Sequence, residues 1–271
     1  MRHRSFYYGL LGTAVLLPGF ISPLHAQSEA KPKYDDFIAL GVVSVPEYEG
    51  SDSQQIVPLV FGQVSFAGNR YLSIEGTGLR VNVLNSSKWS AGPSANFQFG
   101  RDDGVESETI AALEEVDIAI ELGGFVSRNW VGVGHPTGVL TAGVNFVHDV
   151  AGAHDGWQAQ ASLGYGRNFG NRLRLTGNAG ATFVNDDYAG TYFTVSDTDS
   201  ARSGLDPFEA EGGLKDVGVS LTTIYNLTDR WSAVGFTSYR RLVGDAADTP
   251  IVDLEGDPNQ LIVAIGVGYS F

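Results

Sequence analysis

Apolar and polar residues alternate with a period of two along most of this chain. In the last twelve residues, QLIVAIGVGYSF (260–271), apolar side chains fill every odd-numbered position. Small or polar residues fill the even-numbered positions, with Ile262 as the exception. Because successive side chains of a strand point to opposite faces, this pattern predicts a β-strand with one apolar face. Similar segments lie at 37–45, 56–66, 71–84, 89–100, 118–127, 139–150, 157–165, 173–183, 217–227 and 231–242.

The connections between these segments are of two kinds. The short ones are AGNR (67–70), NSSK (85–88), FGNR (169–172) and LTDR (227–230). The long and mostly acidic ones are 101–116, 148–156, 185–213 and 243–259, and one helical turn is expected around 110–113. Short periplasmic turns and longer external loops are typical of bacterial outer-membrane barrels. NWVGVGHPTG (129–138) is longer than the tight turn expected on the periplasmic side.

The number of strands follows from parity. The segments above number eleven when 71–84 is counted as one strand, whereas bacterial single-chain barrels have an even number. Splitting that segment at Gly76-Thr77-Gly78 gives two short strands and places both ends of the barrel on one side. We therefore predict an all-β, antiparallel, up-and-down transmembrane barrel of twelve strands over residues 36–271, with ten or fourteen as alternatives. The terminal strand is expected to close against 37–45, with Tyr269 and Phe271 at the membrane interface.

A soluble barrel or sandwich would show the same alternation, since it also has one apolar face per strand. Two features favour a membrane barrel, whose apolar faces contact lipid. The non-apolar faces carry Gln, Asn, Ser, Thr and Gly instead of a dense coat of charge, which suits a hydrated lumen. Trp89 and Trp231 follow tight turns and Trp157 follows a long loop, as expected of aromatic girdles at two interfaces. The predicted lumenal residues are Asn96, Gln98, Gln158, Gln160, Arg174, Asn178 and Thr182.

The first 26 residues have the organisation of a secretion signal. Arg2, His3 and Arg4 form a basic start, 6–20 is apolar, and Ala26 ends a cleavage-like sequence. A membrane anchor is the alternative, but the apolar stretch is short and contains Pro18. The prediction is a cleaved signal peptide at 1–26, a short polar leader at 27–35, and export to the bacterial outer membrane.

Charge and cysteine content narrow the function classes. Without residues 1–26 the chain has 15 basic and 31 acidic side chains, which argues against nucleic-acid binding through bulk charge. The sequence contains no cysteine, so disulfides, thiolate metal sites and an acylated N-terminal cysteine are excluded. Its 35 glycines concentrate in the alternating segments, where bends and close backbone approaches favour them.

Two His-Asp pairs invite a catalytic interpretation. His148-Asp149 and His154-Asp155, with Asp102-Asp103 or Asp186-Asp187 on neighbouring loops, have the chemistry of an aspartate–histidine protease. Adjacent residues in a loop usually point different ways, however. A phospholipase would need a serine and a histidine together on the outer wall, but Ser162 is expected to face the lumen. No catalytic residue is predicted.

Acidic loops could also hold a calcium ion, which prefers carboxylate and carbonyl oxygens. The candidates are EYEGSD (47–52) and DLEGDPN (253–259), but neither has a recognised ligand spacing. Solvated loops next to lipopolysaccharide and its divalent ions are the simpler interpretation. No metal or cofactor site is predicted.

Six segments resemble one known family. They are 46–59, 89–103, 148–156, 186–196, 213–232 and 241–252, with LTDRWS (227–232) and GDAADTPIV (244–252) the most specific. They are similar to segments of the MipA/OmpV family of outer-membrane barrels, which is named for the MltA-interacting protein. The resemblance extends from about residue 36 to Phe271.

The resemblance implies an outer-membrane protein without enzymatic activity. It implies a scaffold that joins a murein lytic transglycosylase to a murein synthase, and it carries no catalytic or binding motif onto this chain. The alternatives are a passive pore for small solutes and a surface adhesin acting through the acidic external loops. Other expected contacts are outer-membrane lipid, lipopolysaccharide and the barrel insertion machinery, which would read the strand ending at Phe271.

Overall fold

The computed structural model describes residues 36–271, and the predicted signal peptide and leader lie outside them. The residues described form one closed antiparallel barrel of twelve strands, as predicted. The strands are β1 (Phe37–Pro46), β2 (Gln54–Ser65), β3 (Tyr71–Glu75), β4 (Gly78–Asn82), β5 (Trp89–Gln98), β6 (Ala119–Val131), β7 (Val139–Asp149), β8 (Trp157–Phe169), β9 (Leu173–Val184), β10 (Gly213–Asn226), β11 (Trp231–Leu242) and β12 (Asn259–Ser270).

Each strand pairs with its neighbours in sequence, and β1 pairs with β12 from Phe37↔Ser270 to Ser44↔Val263. The predicted closure of the terminal strand is therefore confirmed. The segment 71–84 does divide at Gly76 and Thr77, but β3 and β4 have only five residues each. This hairpin is shorter than its neighbours, so it reaches only part of the way up the wall.

The alternation predicted from the sequence separates side chains that face lipid from side chains that face the lumen. Leu40 and Ile265 are 63% and 66% exposed on the outer face, whereas Glu121 and Asn96 are buried inside. Ile262, the apolar exception in β12, also points inward and packs with Val43 and Val45. A closed barrel satisfies the backbone groups within the sheet, which is what a hydrocarbon environment requires.

Two local features shape the wall. Gly41 faces Gly266 across the β1–β12 seam, and a Cβ at Gly41 would lie 2.1 Å from the Ile265 carbonyl oxygen. Only glycine fits that approach. In β10 the register shifts between Leu214 and Asp216, so Lys215 is an extra residue whose side chain is buried with that of Asp216. A β-bulge re-aims side chains in this way.

The long connections contain five helices: α1 (Glu108–Ala111), α2 (Asp186–Phe193), α3 (Asp197–Ser203), α4 (Asp245–Asp248) and α5 (Pro250–Asp253). Only α1 was predicted, as the helical turn around 110–113. Among residues 36–271 no helix has the length and hydrophobicity needed to span a membrane. All five helices lie at the end of the barrel opposite the tight turns.

Candidate functional site

The external connections pack together into one apolar cluster over the barrel mouth, which we call the loop cap. Its core is built from residues of α1, α2, α4 and α5, the segments on either side of α3, the β1–β2 connection and the upper ends of two strands. Its buried members are Tyr48, Ile110, Leu113, Val184, Tyr188, Ala189, Tyr192, Phe193, Val195, Leu205, Ala210, Leu242, Ala246, Ile251 and Val252. The loops are therefore a folded layer with a core of their own.

Short local signals start and end the cap helices. Ser196 caps α3 by accepting the Asp199 backbone N–H, and Gly204 ends the helix in the left-handed region at φ 81°. Thr249 caps α5, with Pro250 at its first position. The Thr249 hydroxyl also donates to the Phe193 carbonyl at 2.6 Å and so joins α5 to α2.

Hydrogen bonds tie the acidic loops to each other. The Tyr48 hydroxyl donates to the Glu255 carbonyl at 2.9 Å, and the Asp257 N–H donates to the Gly50 carbonyl at 2.9 Å. The Ser107 hydroxyl donates to the Glu255 carboxylate at 2.7 Å. The two calcium candidates, 47–52 and 253–259, thus lie side by side and bind each other. Among the described residues no group of three or more His, Asp or Glu side chains is placed to hold a metal ion.

A polar network inside the lumen lies directly under the cap, with the buried carboxylate of Glu121 at its centre. Asn96 donates to Glu121 at 2.6 Å, and Gln158 donates to both of its oxygens at 2.7 and 2.9 Å. His154 Nε2 lies 3.4 Å from Glu121 Oε1. Since His154 Nδ1 accepts the Gly156 N–H at 3.0 Å, a neutral ring carries its proton on Nε2, facing the carboxylate.

The same network joins the wall to α2. Gln98 bridges Gln158 and the Tyr188 hydroxyl, and Tyr188 in turn donates to Glu49 Oε2 at 2.8 Å. His154 packs against Tyr188 and Tyr192 with ring centroids 5.0 and 5.6 Å away. Burial, and then the nearby Glu49 carboxylate, raise the pKa of both tyrosines well above the ordinary value. Both therefore remain neutral hydroxyls at any physiological pH.

Four charged side chains complete the network beside α2. Lys215, turned inward by the β10 bulge, forms an ion pair with Glu49 and lies 3.3 Å from Asp216. Asp216 also lies 3.7 Å from Arg240 and accepts from the Thr182 hydroxyl at 3.1 Å. The side chains of Lys215 and Asp216 are each 3% exposed. These charges come from a loop and from two wall strands, so they fix the cap to the wall.

Low pH should destabilise one edge of the loop cap, because it protonates the Asp199 carboxylate. Partial burial disfavours its charge, but hydrogen bonds from Ser196, Arg202 and the Glu114 N–H outweigh this and lower its pKa. A carboxyl whose folded pKa is lowered stabilises the fold above its unfolded pKa, about 3.9, and that contribution is lost as the pH falls through the folded value. We expect the protection of amides in α3 and at Glu114, measured relative to the intrinsic exchange rate at each pH, to fall below about pH 4. Asp199→Asn should abolish this acid step, and an unchanged step in that variant would assign it to another group.

The predicted His-Asp pairs do not form a catalytic arrangement. His148 lies on the outer face of β7 with Nδ1 2.7 Å from the Gly156 carbonyl, whereas Asp149 accepts three loop N–H groups inside. His154 is buried, and Asp155 is exposed with φ 50°. In each pair, one side chain is therefore buried and the other is exposed. Ser162 faces the lumen, as expected.

Three of the four neighbouring aspartates, Asp102, Asp186 and Asp187, also have structural partners. Asp102 accepts the Gly104 N–H at 2.9 Å in its own loop. Asp186 accepts the Gly212 N–H at 2.7 Å, and Asp187 accepts from Asn185 at 2.7 Å, both at the start of α2. Carboxylates at a helix N-terminus are favourable there.

All seven predicted lumenal residues face inward, and Asn96, Gln98 and Gln158 belong to the network that binds the cap. What the sequence reasoning missed is the cap side of the network: Glu49, Tyr188, Tyr192 and Lys215. Signals for the helices were present, in the Ser196-x-x-Asp199 capping pattern and in Thr249-Pro250. The pairing of Lys215 with Glu49 leaves no local signal, because 166 residues separate them.

The opposite end of the barrel has an aromatic girdle. Trp231 packs on Tyr269 with ring centroids 5.0 Å apart, and Tyr269 stacks on Phe271 at 6.5 Å. Arg128 lies over the rings of Trp89 and Trp130. The placement of Trp89, Trp231, Tyr269 and Phe271 at one interface agrees with the sequence prediction, and the tight turns lie at this end.

Comparison with known proteins agrees with this architecture. A family model described as "MltA-interacting protein MipA" matches residues 38–271. Outer membrane protein OmpV of Vibrio cholerae is 29% identical over 131 residues, which are 48% of this chain and 49% of that protein. The MltA-interacting protein of Escherichia coli is 28% identical over 99 residues, or 36% of this chain and 38% of that protein.

The chain therefore spans about half, or less, of the length of these curated relatives. Among solved structures, an outer-membrane channel from Pseudomonas putida F1 covers 89% of this chain and 97% of its own at 11% identity, with a TM-score of 0.45. The match over 38–271 includes every strand of the barrel except the first residue of β1. The chain belongs to the MipA family of outer-membrane β-barrel proteins.

Proposed function

We propose that this barrel is a non-enzymatic scaffold that holds murein-remodelling enzymes at the inner face of the outer membrane. The observation that carries the proposal is the loop cap, which closes the external mouth with a packed core and a buried charge network. A barrel closed in this way has little use as an open path for solutes. Among residues 36–271, the surface left free on the cell side is the set of periplasmic turns.

One periplasmic turn is suited to contact a partner. The β6–β7 turn, residues 132–138, is the longest at its end of the barrel, and Val131 and Val133 are 52% and 37% exposed. It is also held in one shape. The Tyr165 hydroxyl donates to the Val133 carbonyl at 3.0 Å, and the Asn168 N–H donates to the Thr137 hydroxyl at 3.2 Å. Exposed apolar side chains on an ordered turn can bind a partner without a large ordering cost.

The partner class comes from the relatives. One of them is named as an MltA-interacting protein, so a lytic transglycosylase, together with a murein synthase, is the class we propose for this chain. The absence of enzymatic activity belongs to the same proposal. Its support is that His148, Asp149 and His154 have local structural partners, and that the carboxylate of Asp155 is exposed and lies apart from the His154 ring.

Crosslinking in intact cells tests the scaffold directly. A photo-crosslinking residue at Val133 should capture a lytic transglycosylase or a murein synthase, because that side chain projects into the periplasm. The matched control is the same residue at Asp253, which is exposed on the external cap and should capture neither. Recovery of a folded barrel with no murein enzyme at Val133, or with equal capture at both positions, would contradict the scaffold.

A further inference from the structure

The charge of the barrel is divided between its two ends. Most of the acidic side chains lie in the external connections, and among residues 36–271 only Asp36 and Asp229 are acidic at the periplasmic end. The basic side chains in the tight turns, and on the outer face of the strands beside them, are Arg70, Lys88, Arg128, Arg167, Arg172 and Arg230. We call them the basic rim. The periplasmic end is therefore basic, although the chain as a whole has a net charge of −14.

Arg128 is the member of the basic rim that faces lipid between two tryptophan rings. It is exposed on the outer face of β6, opposite Trp89, which is the first residue of β5. Its guanidinium carbon lies 5.3 Å from the ring centroid of Trp89 and 4.9 Å from that of Trp130. Tryptophan at the end of a membrane-spanning strand marks the level of the lipid headgroups. The two rings therefore hold the Arg128 guanidinium at headgroup level.

The Arg128 guanidinium has contacts with rings but not with an anion. Among the described residues no carboxylate and no other hydrogen-bond acceptor pairs with it. In contrast, Arg70 donates to the Val83 carbonyl at 3.0 Å, and Arg230 donates to the Tyr269 hydroxyl at 3.0 Å. The planar guanidinium forms paired, charge-assisted hydrogen bonds with phosphate. The N–H donors of Arg128 are therefore available for an anionic group outside the protein.

Lys88 adds a second positive charge near Arg128. Its side chain is exposed, and its backbone carbonyl accepts the Asn129 N–H at 2.7 Å, so it lies beside β6. The two acidic residues of this end are elsewhere on the barrel. Strands β2–β5 separate Asp36 from β6, and β7–β9 separate β6 from the turn that contains Asp229. The ammonium of a zwitterionic headgroup would meet two cations here and no carboxylate of the described residues, so a headgroup with net negative charge is favoured.

We propose that Arg128 and its two tryptophan neighbours, with Lys88 beside them, bind the headgroup of a net-anionic phospholipid in the periplasmic leaflet of the outer membrane. The phosphate accepts hydrogen bonds from the guanidinium, and the acyl chains lie on the outer face of the wall against side chains such as Val126, which is 46% exposed. The site requires no cavity, because the lipid stays outside the barrel. Since Arg128 lies on the lipid-facing wall, its occupant is a lipid and not the murein enzyme proposed above for the β6–β7 turn.

Lipid retention by the purified, folded barrel tests the site. The barrel is placed in bilayer discs that contain equal amounts of phosphatidylglycerol and phosphatidylethanolamine with identical acyl chains, and native mass spectrometry identifies the lipid that stays bound. The wild type should retain phosphatidylglycerol in preference. Arg128→Gln should reduce this preference about fivefold, which is the effect of one basic side chain at an anionic surface.

The matched control is Arg241→Gln, which removes an exposed arginine from the outer face of β11 at the acidic external end. Arg241 already donates to the Asn259 side chain at 2.8 Å, so its loss should leave the lipid preference unchanged. Equal retention of the two lipids by the wild type would overturn the proposal. The same preference in folded Arg128→Gln as in the wild type would also overturn it.

Photo-crosslinking in intact cells provides a second measurement. Ala142 pairs with Arg128 across the β6–β7 ladder and lies on the outer face of β7, so a crosslinking residue there is next to the site. Its adducts should be phospholipids, with a larger anionic share than the extracted outer membrane has. Combined with Arg128→Gln, that share should fall to the value of the membrane. A murein enzyme as the main adduct at Ala142, or the same anionic share with and without Arg128, would overturn the proposal, while capture at Val133 tests the scaffold separately.

Discussion

Replacing residues 186–212 with a short Gly-Ser turn is expected to convert a silent barrel into a conducting one. This change removes α2 and α3, and with them Tyr188, Tyr192 and Phe193 from the centre of the cap core. It also removes the hydrogen bonds that Tyr188 makes to Gln98 and Glu49. The lumenal amides beneath would then be open to external water. In planar bilayers the wild type should show only background current, and the variant should show discrete single-channel steps.

The control variant has a shortened turn at the opposite end of the barrel. Trimming the β6–β7 turn within 132–138 leaves the cap untouched and should leave the barrel silent. Wild-type protein that conducts as readily as the cap deletion would remove the support for a closed mouth and favour the passive-pore alternative. A deletion variant that remains silent, although folded by heat-modifiable migration, would mean that lumenal side chains alone block the barrel.

The strands could be predicted from the sequence because lipid and lumen impose opposite requirements on successive residues. A period of two that extends over ten or more residues can be recognised from the sequence alone, as in Leu261 to Phe271. Parity then required the division of 71–84 at Gly76, which the structure confirms. Nothing in the sequence sets the height of the resulting hairpin, so the five-residue length of β3 and β4 could not be anticipated.

The cap could not be predicted, because it depends on contacts between loops that are far apart in the chain. Tyr48 and Glu255 are bonded across 207 residues, and Gln98 and Tyr188 across 90. Each loop is too short to fold alone, and α1, α4 and α5 have four residues each. Their helical structure comes from tertiary packing. The sequence of a long acidic loop with scattered aromatic residues does not indicate that packing.

Ile262 shows how a local exception can carry information. In an alternating pattern it is a single deviation on the lumenal face. In the structure it joins Val43, Val45 and Val57 in one buried apolar cluster, so one side of the lumen is apolar. The sequence contained this asymmetry, since Phe236 and Leu59 also lie on lumenal positions. It becomes visible only when the strand neighbours are known.

Lys215→Met should detach the cap from the wall by leaving the buried Glu49 carboxylate without its cation. The side chain of Lys215 is 3% exposed and that of Glu49 is 9% exposed, so water cannot replace the lost partner. Removing one member of a buried ion pair costs about 3–5 kcal/mol. Asp216 keeps Arg240 and Thr182, so the loss should concentrate at the β1–β2 connection and α2. Limited proteolysis of 185–212 and amide exchange in α2 would measure it, while the barrel remains heat-modifiable.

Two further variants separate a buried charge effect from a general packing loss. Lys215→Met combined with Glu49→Gln should recover most of the lost protection, because the unpaired charge is gone and the Tyr188 hydroxyl still has an amide to bind. Arg202→Met breaks the ion pair with Asp199, in which the arginine side chain is 48% exposed, and should cost at most about 1 kcal/mol. Equal losses in Lys215→Met and Arg202→Met, or no recovery in the double variant, would show that the unpaired charge of Glu49 is not what loosens the cap.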